Sequence, residues 1–431
     1  MARIHPFQPL RYTAKAGRPS DLVTQPYDKI PDELRERYLA ASPYNFVRLI
    51  KGKAESGDDE AHNVYTRAAA LLDEWIDEGI LAADPTPGVY PYVQEFTHPE
   101  TGDRCVRKAF ISIVELAEYG EGVIYGHELT HSGPKLDRLR LTEATQAYFG
   151  QLFFLYDDPA LQIDALLDAA TQGEPLMQAE EEGVVHKLWR IDDPATLAAI
   201  QGVIADKKLL IADGHHRYET ALAYAREHPD VPGADRVMIS LVNMSSPGLV
   251  VLATHRVLEG LKSFAPSALL ERARKRFSVE AFTSDEALRK ALENTSNGHS
   301  AIGMVLRGDE SAYLLRPKPG ALDQLVEGLG EKEKRLDVVV LHRALIGEAL
   351  GVSEEDVRDL KGIRYIRGFE NAVEEVRDGE GQVAFLLRPV DVQDVAEISF
   401  AGGVMPQKST DFYPKLLSGF ATYRFGAPKA T

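Results

Sequence analysis

The chain is poor in cysteine, and Cys105 is the one such residue among 431. A single thiol excludes an internal disulfide and any zinc site built from cysteines. Cys105 lies in the alternating run RCVRKAFISIVEL, so we expect it to be a small packing residue on a strand. This scarcity of cysteine fits a reducing compartment.

Long apolar runs are also missing. No uninterrupted apolar stretch approaches the roughly twenty residues that a membrane span needs. The first residues, MARIHPFQPLRYTAKAG, contain no apolar core of a secretory leader. We therefore expect a cytoplasmic protein with no membrane partner.

The chain has fewer basic than acidic residues. It contains 49 Lys and Arg residues and 66 Asp and Glu residues, and its formal net charge is −17. Such a field repels phosphate polymers unless a basic patch is strongly localised. The densest basic cluster, ERARKRF at 271–277, is typical of a solvated helix face. We expect a small-molecule partner and no nucleic-acid partner, and the sequence leaves the oligomeric state open.

The remaining composition, 44% hydrophobic and 27% charged, is that of an ordinary globular protein. A chain of 431 residues exceeds a single compact core. Strand and helix patterns alternate along it, which predicts an α/β fold with a mixed sheet. We expect a first region over 1–260, a second, smaller α/β domain over 261–398, and a segment over 399–431 that packs back on the site.

Several elements are visible in the hydrophobic pattern. In AHNVYTRAAALLDEWIDEGIL, Tyr65, Ala69, Leu72 and Ile76 fall on one helical face. GVYPYVQEF and CVRKAFISIVEL predict a hairpin, and a helix is predicted from Pro134 because proline suits the first helical position. Further strands are predicted at KKLLIA, RVMISLVN and LVVLAT, and then at AIGMVL, AYLLR and QVAFLLR.

The stretch LLIADGHHRYETALAY, residues 209–224, carries the densest chemistry of the chain. An apolar strand that ends in Asp213 and Gly214 and opens directly into a helix leaves the first helical N–H groups unpaired, and these favour an anion. Arg217 offers a fork of donors suited to phosphate or carboxylate. Asp213 either caps the helix or holds a divalent metal beside that phosphate.

The helix of this stretch has Tyr218, Leu222 and Ala225 at positions i, i+4 and i+7. This spacing predicts that their face is buried and that His215 and His216 stay exposed at the helix start, where both can reach one ligand. The other interpretation is a simple helix cap flanked by solvated histidines.

The segment HELTH, His127 to His131, formally satisfies the zinc-hydrolase pattern HExxH. That pattern needs a sustained helix, whereas Gly122 and Gly126 precede it and SGP follows at once. We therefore expect no metal ligands here. The favoured interpretation is a second wall of the same site, and a salt-bridged helix start is the alternative. This wall consists of His127, Glu128, Thr130, Lys135, Asp137 and Arg138.

The segment MPQKSTDFYPKL, residues 405–416, contains large apolar residues among its polar ones, and a flexible tail does not normally contain them. We expect it to pack on the body of the protein and to deliver Lys408, Ser409 and Thr410 to a pocket. An ordinary surface role for Lys408 is the alternative.

Three further residues are candidates for the site. His255 and Arg256 directly follow the strand LVVLAT, and ligands of α/β folds bind at the carboxyl ends of strands. Asp28, in PYD, either lies at the site or forms a turn.

The motif ADGHHRYETAL resembles the signature of the ParB/sulfiredoxin superfamily, and free-serine kinases of archaea carry a closely similar DGHHR. The whole chain resembles a family of uncharacterised bacterial and archaeal proteins often labelled ParB-like. The segments that match are QPYDKI, PYNFVRL, HELT with KLDRL, ADGHHRYETA, PGLVVLATHR and MPQKSTDFYPKL.

The resemblance implies a ParB/sulfiredoxin-like first region in which the Gly-centred turn binds nucleotide phosphates. The residues expected to bind the nucleotide and its phosphates are Gly214, His215, His216, Arg217, His127, Thr130, Lys135, Arg138, His255, Arg256, Ser409 and Thr410. The residues expected to act in catalysis are Glu128, Asp213, His216, Arg217 and Lys408. Asp28 and Arg48 are expected to bind the substrate.

Two functions remain open from the sequence. The first is a phosphotransferase that uses ATP or ADP, with CTP as an alternative, and Mg²⁺, and acts on a small hydroxylated or amino-acid-like metabolite such as free serine. In this reaction Arg217 and Lys408 stabilise the transferring phosphoryl group and Glu128 orients the acceptor hydroxyl. The second is a ParB-like nucleotide-binding switch with little turnover that acts through a protein partner.

Overall fold

The computed structural model describes residues 1–128, 133–296, 299–358 and 361–426. Two compact units make up the chain. The first unit comprises Met1–Gly126, Thr130–Val250 and Pro414–Thr431, and the second comprises His127–Leu129 and Val251–Tyr413. The division thus falls after Val250, earlier than the predicted 260, and it splits the segment predicted over 399–431 at Pro414.

Strands and helices are interspersed along the described residues. The strands are β1 Ile4–His5, β2 Leu10–Tyr12, β3 Leu81–Ala83, β4 Tyr90–Thr97, β5 Arg104–Glu115, β6 Ile124–Tyr125, β7 Ala147–Tyr148, β8 Leu152–Tyr156, β9 Met177–Glu181, β10 Val184–Leu188, β11 Leu209–Asp213, β12 Arg236–Asn243, β13 Val250–Leu252, β14 Thr254–Leu258, β15 Phe277–Phe282, β16 Ile302–Leu306, β17 Ala312–Pro317, β18 Ile363–Arg367, β19 Val383–Leu386, β20 Asp411–Tyr413 and β21 Tyr423–Arg424. The helices are α1 Asp32–Ala41, α2 Val47–Ile50, α3 Val64–Asp77, α4 Gly133–Thr145, α5 Gln162–Ala170, α6 Pro194–Ala205, α7 His215–Glu227, α8 Pro266–Arg276, α9 Asp285–Glu293, α10 Asp337–Val340, α11 Glu354–Arg358, α12 Phe369–Arg377 and α13 Val392–Phe400. A π-helix follows α10 at Leu341–Ala349.

The first unit is built on a large mixed sheet with strand order β6-β11-β8-β12-β5-β4-β10-β9, and β1 also pairs with β5. The pairs β11–β6 and β12–β8 are parallel and the others are antiparallel. The centre of the sheet is apolar on both faces, and β8, with the sequence LFFLY, is buried at every position. The predicted mixed α/β fold is confirmed.

Helix α3 illustrates how the local sequence sets an element. Asn63 caps its first turn, and the side chain of Thr66 completes a capping box. The residues buried on this helix are Ala68, Leu72 and Trp75, so its buried face is rotated from the predicted one, which ran through Ala69. The indole of Trp75 explains the shift, because it lies 1% exposed in the core and the helix turns to bury it.

The second unit contains a six-stranded antiparallel sheet with strand order β15-β17-β16-β19-β14-β18. Helices α9 and α12 contribute to the hydrophobic core of this sheet. Their buried residues there are Leu288, Leu292, Val373 and Val376. The antiparallel pattern allows one face to be covered by helices while the other is more polar.

No described helix is both long enough and apolar enough to cross a membrane. Cys105 lies on β5 as predicted, but its side chain is only partly buried.

Candidate functional site

The candidate site of the first unit is the turn that joins β11 to α7. The strand is buried up to Ala212 and ends at Asp213, and Gly214 then turns the chain into the helix with a φ of 100°. A Cβ on Gly214 would lie 2.8 Å from Leu152 Cδ2 and 2.9 Å from Arg217 Nη2. The position therefore needs glycine for its backbone conformation and for its space. Helix α7 begins at this turn, and the start of a helix is a favourable place for an anion because its N–H groups and dipole attract negative charge.

The two histidines of the turn differ in burial. His216 is partly exposed, whereas His215 is only 7% exposed, so the prediction that both stay exposed is wrong for His215. The reason is the loop of Gly126, where an added Cβ would approach His215 Cδ2 to 3.2 Å. That close approach covers one imidazole and leaves the other at the surface.

Asp213 is held between two cations. Arg217 Nη2 donates to Asp213 Oδ2 at 3.3 Å, and Lys415 Nζ lies 3.6 Å from Oδ1. Burial by itself raises the pKa of Asp213, but the charges of Lys415, Arg217 and Lys29 outweigh burial and hold the pKa well below its usual range. Asp213 is therefore a stable carboxylate and a weak proton acceptor.

This electrostatic arrangement gives a testable pH dependence. The folded-state pKa of Asp213 is depressed, so its contribution to stability is complete above the unfolded pKa of about 3.9 and is lost as the pH falls below that value. We expect Asp213→Asn to lower the free energy of unfolding at pH 7 and to differ less from wild type at pH 3. Urea unfolding at both pH values measures this. Equal differences at the two pH values would contradict the assignment.

Arg217 is oriented towards the strand β8. Besides Asp213, its guanidinium donates from Nη1 to the carbonyl of Gln151 at 3.1 Å. Arginine carries five donors, so these contacts fix the side chain without using all of its capacity. Arg217 also lines a cavity of about 60 Å³ in the first unit.

That cavity mixes apolar walls with a few polar groups. Its polar lining comes from Tyr27, Arg138, Thr142, Tyr148, Arg217, Thr220 and Ser418. The guanidinium of Arg138 lies 4.1 Å from the ring centre of Tyr27. Burial raises the pKa of the Tyr27 phenol, and the charges of Arg217 and Arg138 lower it, so both arginines act at the same hydroxyl.

Helix α4 supplies the second set of predicted residues in this unit. Lys135 forms an ion pair with Glu219 of α7. Arg138 donates to the neighbouring Asp137 and, from Nη1, to the carbonyl of Ile50 at 3.0 Å. The structure therefore brings Lys135 and Arg138 against the helix of the DGHHR turn, and their binding roles stay predictions.

Of the two residues predicted to bind the substrate, one is exposed and the other makes a contact with the backbone. Asp28 is exposed in the single turn Tyr27–Lys29. Arg48 donates from Nη2 to the carbonyl of Leu39 at 2.9 Å, which is a structural contact.

Lys415 lies beside Asp213 and was not identified from the sequence, and neither were Lys29 and Tyr27. The backbone of Lys415 is fixed by buried side chains of the sheet: Arg107 donates to the carbonyl of Pro414, and Gln94 Nε2 donates to the carbonyl of Lys415 at 2.9 Å. Gln151 Nε2 donates to the carbonyl of Leu417 at 3.1 Å. The segment MPQKSTDFYPKL was the correct signal, but no local pattern distinguished its second lysine from its first.

The family model described as "Protein of unknown function (DUF1015)" matches residues 4–339. The chain belongs to DUF1015. No curated protein matches the chain. Lys415 lies beyond the matched range, whereas the DGHHR turn lies within it.

Solved structures are similar to this DUF1015 chain at low identity. A free serine kinase in complex with AMP is 15% identical, with a TM-score of 0.37, and covers 73% of this chain and 91% of its own. A conserved hypothetical protein from Pyrococcus furiosus is 15% identical, with a TM-score of 0.34, and covers 71% and 92%. SbnI with C-terminal truncation from Staphylococcus aureus is 12% identical, with a TM-score of 0.36, and covers 72% and 85%.

Most of the other predicted residues of the DUF1015 chain lie in its second unit, namely His127, Glu128, His255, Arg256, Lys408, Ser409 and Thr410. His127 is buried and its Nε2 is 2.9 Å from Thr410 Oγ1. The carbonyl of His127 accepts from Met405 N at 2.8 Å, and Glu128 forms a β-bridge with Met405. Residues 127 and 128 are thus extended, whereas a zinc hydrolase needs His127 in a helix. Thr130 and His131 lie outside the described residues.

His255 and Arg256 are corrected in position. They lie inside strand β14, and not after a strand end, and both are at most 2% exposed. Burial lowers the pKa of His255 to about 4, so it is neutral at pH 7. Arg256 Nη2 donates to the carbonyls of Gln407 and Lys408 at 3.2 and 3.0 Å.

The polar loop of the second unit is held by these contacts. Arg256 clamps its backbone, and the hydroxyl of Ser409 donates to the carbonyl of Pro406. The side chain of Lys408 is exposed and its φ is 56°. The predicted site shared by His127, Glu128 and the DGHHR turn stays a prediction, because these residues belong to different units.

Proposed function

We propose that the first unit is a nucleotide-dependent phosphotransferase that acts on a small hydroxylated or amino-acid-like metabolite. The observation that carries this proposal is the gathering of Lys29, Arg217 and Lys415 around Asp213 at the start of α7, in a chain whose net charge is −17. A concentration of positive charge against the general field of the protein is the arrangement that an anionic ligand needs.

The residues fit a nucleotide phosphate and Mg²⁺. The N–H groups at the start of α7 bind phosphate oxygens, and His216 and Arg217 add side-chain donors. Asp213 offers a carboxylate with 31% of its side chain exposed. Mg²⁺ is usually held by one or two carboxylates together with substrate phosphates, and Asp213 would be this carboxylate once Arg217 and Lys415 turn from it to the phosphates. When bound, the ion neutralises charge on the phosphates.

The cavity lined by Arg138 and Arg217 is suited to a small acceptor. Its volume of about 60 Å³ limits the size of the group that enters it. Arg138 and Arg217 can bind a carboxylate of the acceptor, and the hydroxyl of Tyr27 lies under the influence of both. An acceptor with a carboxylate and a hydroxyl, such as free serine, meets these conditions. Glu128 and Lys408 belong to the second unit, so the base and phosphate-ligand roles predicted for them from the sequence are not part of this proposal for the first unit.

A pair of lysines in one segment tests the nucleotide site. We expect Lys415→Met to weaken the binding of ADP with Mg²⁺ at least tenfold, because it removes a cation that lies 3.6 Å from Asp213. The matched control is Lys408→Met, which removes an exposed lysine seven positions earlier. Isothermal titration calorimetry measures both. If Lys408→Met abolishes binding and Lys415→Met does not, the nucleotide is bound by Lys408, the lysine predicted from the sequence, and not by Lys415.

Activity itself is tested with the wild-type protein. ATP and ADP, each with Mg²⁺, are incubated with free serine and then with a panel of hydroxylated metabolites, and mass spectrometry detects phosphorylated products. A protein that binds nucleotide and yields no such product from any acceptor is not the proposed enzyme.

A nucleotide-binding switch is the second candidate function. One observation favours it: the two cations beside Asp213 keep this carboxylate a weak base, so the turn binds phosphate without itself activating a nucleophile. Capture of a protein partner from cell lysate in the presence of nucleotide, and not in its absence, together with no phosphorylated product, is the result expected of a switch.

A further inference from the structure

Three potential metal ligands meet at the far end of the helix pair α4 and α7. Glu143 lies in the last turn of α4, Glu227 is the last residue of α7, and His228 follows it. One ligand atom from each of the three lies within 4.8 Å of the other two. The two glutamates are exposed, so small rotations of their side chains bring the donors to the spacing that a bound ion requires.

The charges at this end of the helices favour a cation. Carboxylates in the last turn of a helix face the negative end of its dipole and repel each other. The last turn of α4 carries no basic residue, and Arg226 of α7 is engaged with Glu118. Within the described parts of the chain, neither Glu143 nor Glu227 has an ion-pair or hydrogen-bond partner.

The imidazole of His228 gives an independent indication of a ligand. Its Nε2 is shielded from solvent and has no hydrogen-bond partner among the described residues. A shielded ring nitrogen without a partner is an unmet polar group. The ring centre lies 4.4 Å from that of Tyr224, which holds the imidazole in place before any ion arrives.

We infer that Glu143, Glu227 and His228 form a binding site for a divalent transition metal such as Zn²⁺ or Mn²⁺. A neutral imidazole together with two carboxylates suits these ions, whereas Mg²⁺ prefers oxygen ligands alone. The ion would tie α4, which carries Arg138, to α7, which carries Arg217. The site is separate from any Mg²⁺ that accompanies a nucleotide at Asp213. It was not visible in the sequence because Glu143 lies 84 positions before Glu227.

The site is tested on the full chain, treated with chelator and kept free of nucleotide. Calorimetric titration with ZnCl₂ is expected to show one saturable site per chain. Glu143→Gln and His228→Gln are each expected to weaken zinc binding at least tenfold. Glu143 is an exposed helical residue and glutamine is a good helix former, so this variant keeps the fold even if His228→Gln disturbs its stacking on Tyr224.

The matched control is His62→Gln, which removes a histidine whose side chain is 86% exposed and which lies near Asp59. We expect this variant to bind zinc as the wild type does. Absence of a saturable site in the wild type, or equal zinc affinity in wild type and Glu143→Gln, overturns the inference. Neither result bears on nucleotide binding, which is measured without zinc.

Discussion

Arg217→Ala is expected to lower kcat for phosphoryl transfer on the order of 10²-fold or more, and to lower nucleotide affinity much less. Phosphoryl transfer depends on positioning and on neutralisation of the charge that develops in the transition state. Arg217 is suited to this because its contacts with Asp213 and with the carbonyl of Gln151 fix the guanidinium in advance. Loss of a preorganised cation therefore affects the transition state more than the ground state.

The control for this variant lies on the same helix. Arg226→Ala removes a guanidinium whose side chain is 64% exposed and whose partner is the surface residue Glu118. We expect kcat and KM to stay near their wild-type values in Arg226→Ala. Steady-state kinetics with calorimetric measurement of nucleotide affinity separates the two effects. If Arg217→Ala raises KM and leaves kcat unchanged, the residue contributes only uniform binding.

Gly214→Ala is expected to abolish nucleotide binding at micromolar concentrations and to destabilise the fold. An alanine at a φ of 100° costs about 1–2 kcal/mol of backbone strain. In addition, the new Cβ must displace Leu152 or Arg217, which lie 2.8 and 2.9 Å from its position. Either displacement changes the turn to which we assign the binding of the phosphates.

Gly120→Ala separates the two causes, because Gly120 has a nearly equal φ of 97° and nothing within 4 Å of its added Cβ. We expect Gly120→Ala to be destabilised only by the backbone strain and to bind nucleotide as the wild type does. Urea unfolding and calorimetry on both variants make the comparison. Equal destabilisation in the two variants, with nucleotide binding retained in Gly214→Ala, would show that the contacts of Gly214 have no functional weight.

The part of the site that sequence could predict is the part that is local. The order strand, Asp-Gly, helix follows from an apolar run and a glycine that needs a positive φ, and the structure places Asp213 and Gly214 accordingly. The buried face of α7 could also be predicted in part, because Tyr218 and Leu222 are buried as their spacing indicated. Mixed α/β architecture followed in the same way from alternating strand and helix patterns.

The parts that failed depend on contacts between distant segments. His215 is buried because the loop of Gly126 approaches it, and periodicity along one helix contains no information about that loop. Lys415 was not identified from the sequence for the same reason, whereas the role of Lys408 stays a prediction. The position of Lys415 is set by Arg107 and Gln94, more than 300 positions earlier, which bind the carbonyls beside it. Composition and spacing do not encode such pairings.

The route of the chain also has a consequence for biosynthesis. Lys415 lies 202 positions after Asp213, and the second unit, up to Tyr413, is synthesised between them. At about 5–20 residues per second, the ribosome needs on the order of 10 to 40 seconds to cover this distance. A nascent chain therefore displays the DGHHR turn well before it has the lysine that accompanies it. Messages that break off inside the second unit would yield products without Lys415, so only a chain translated beyond that unit can pair Asp213 with this lysine.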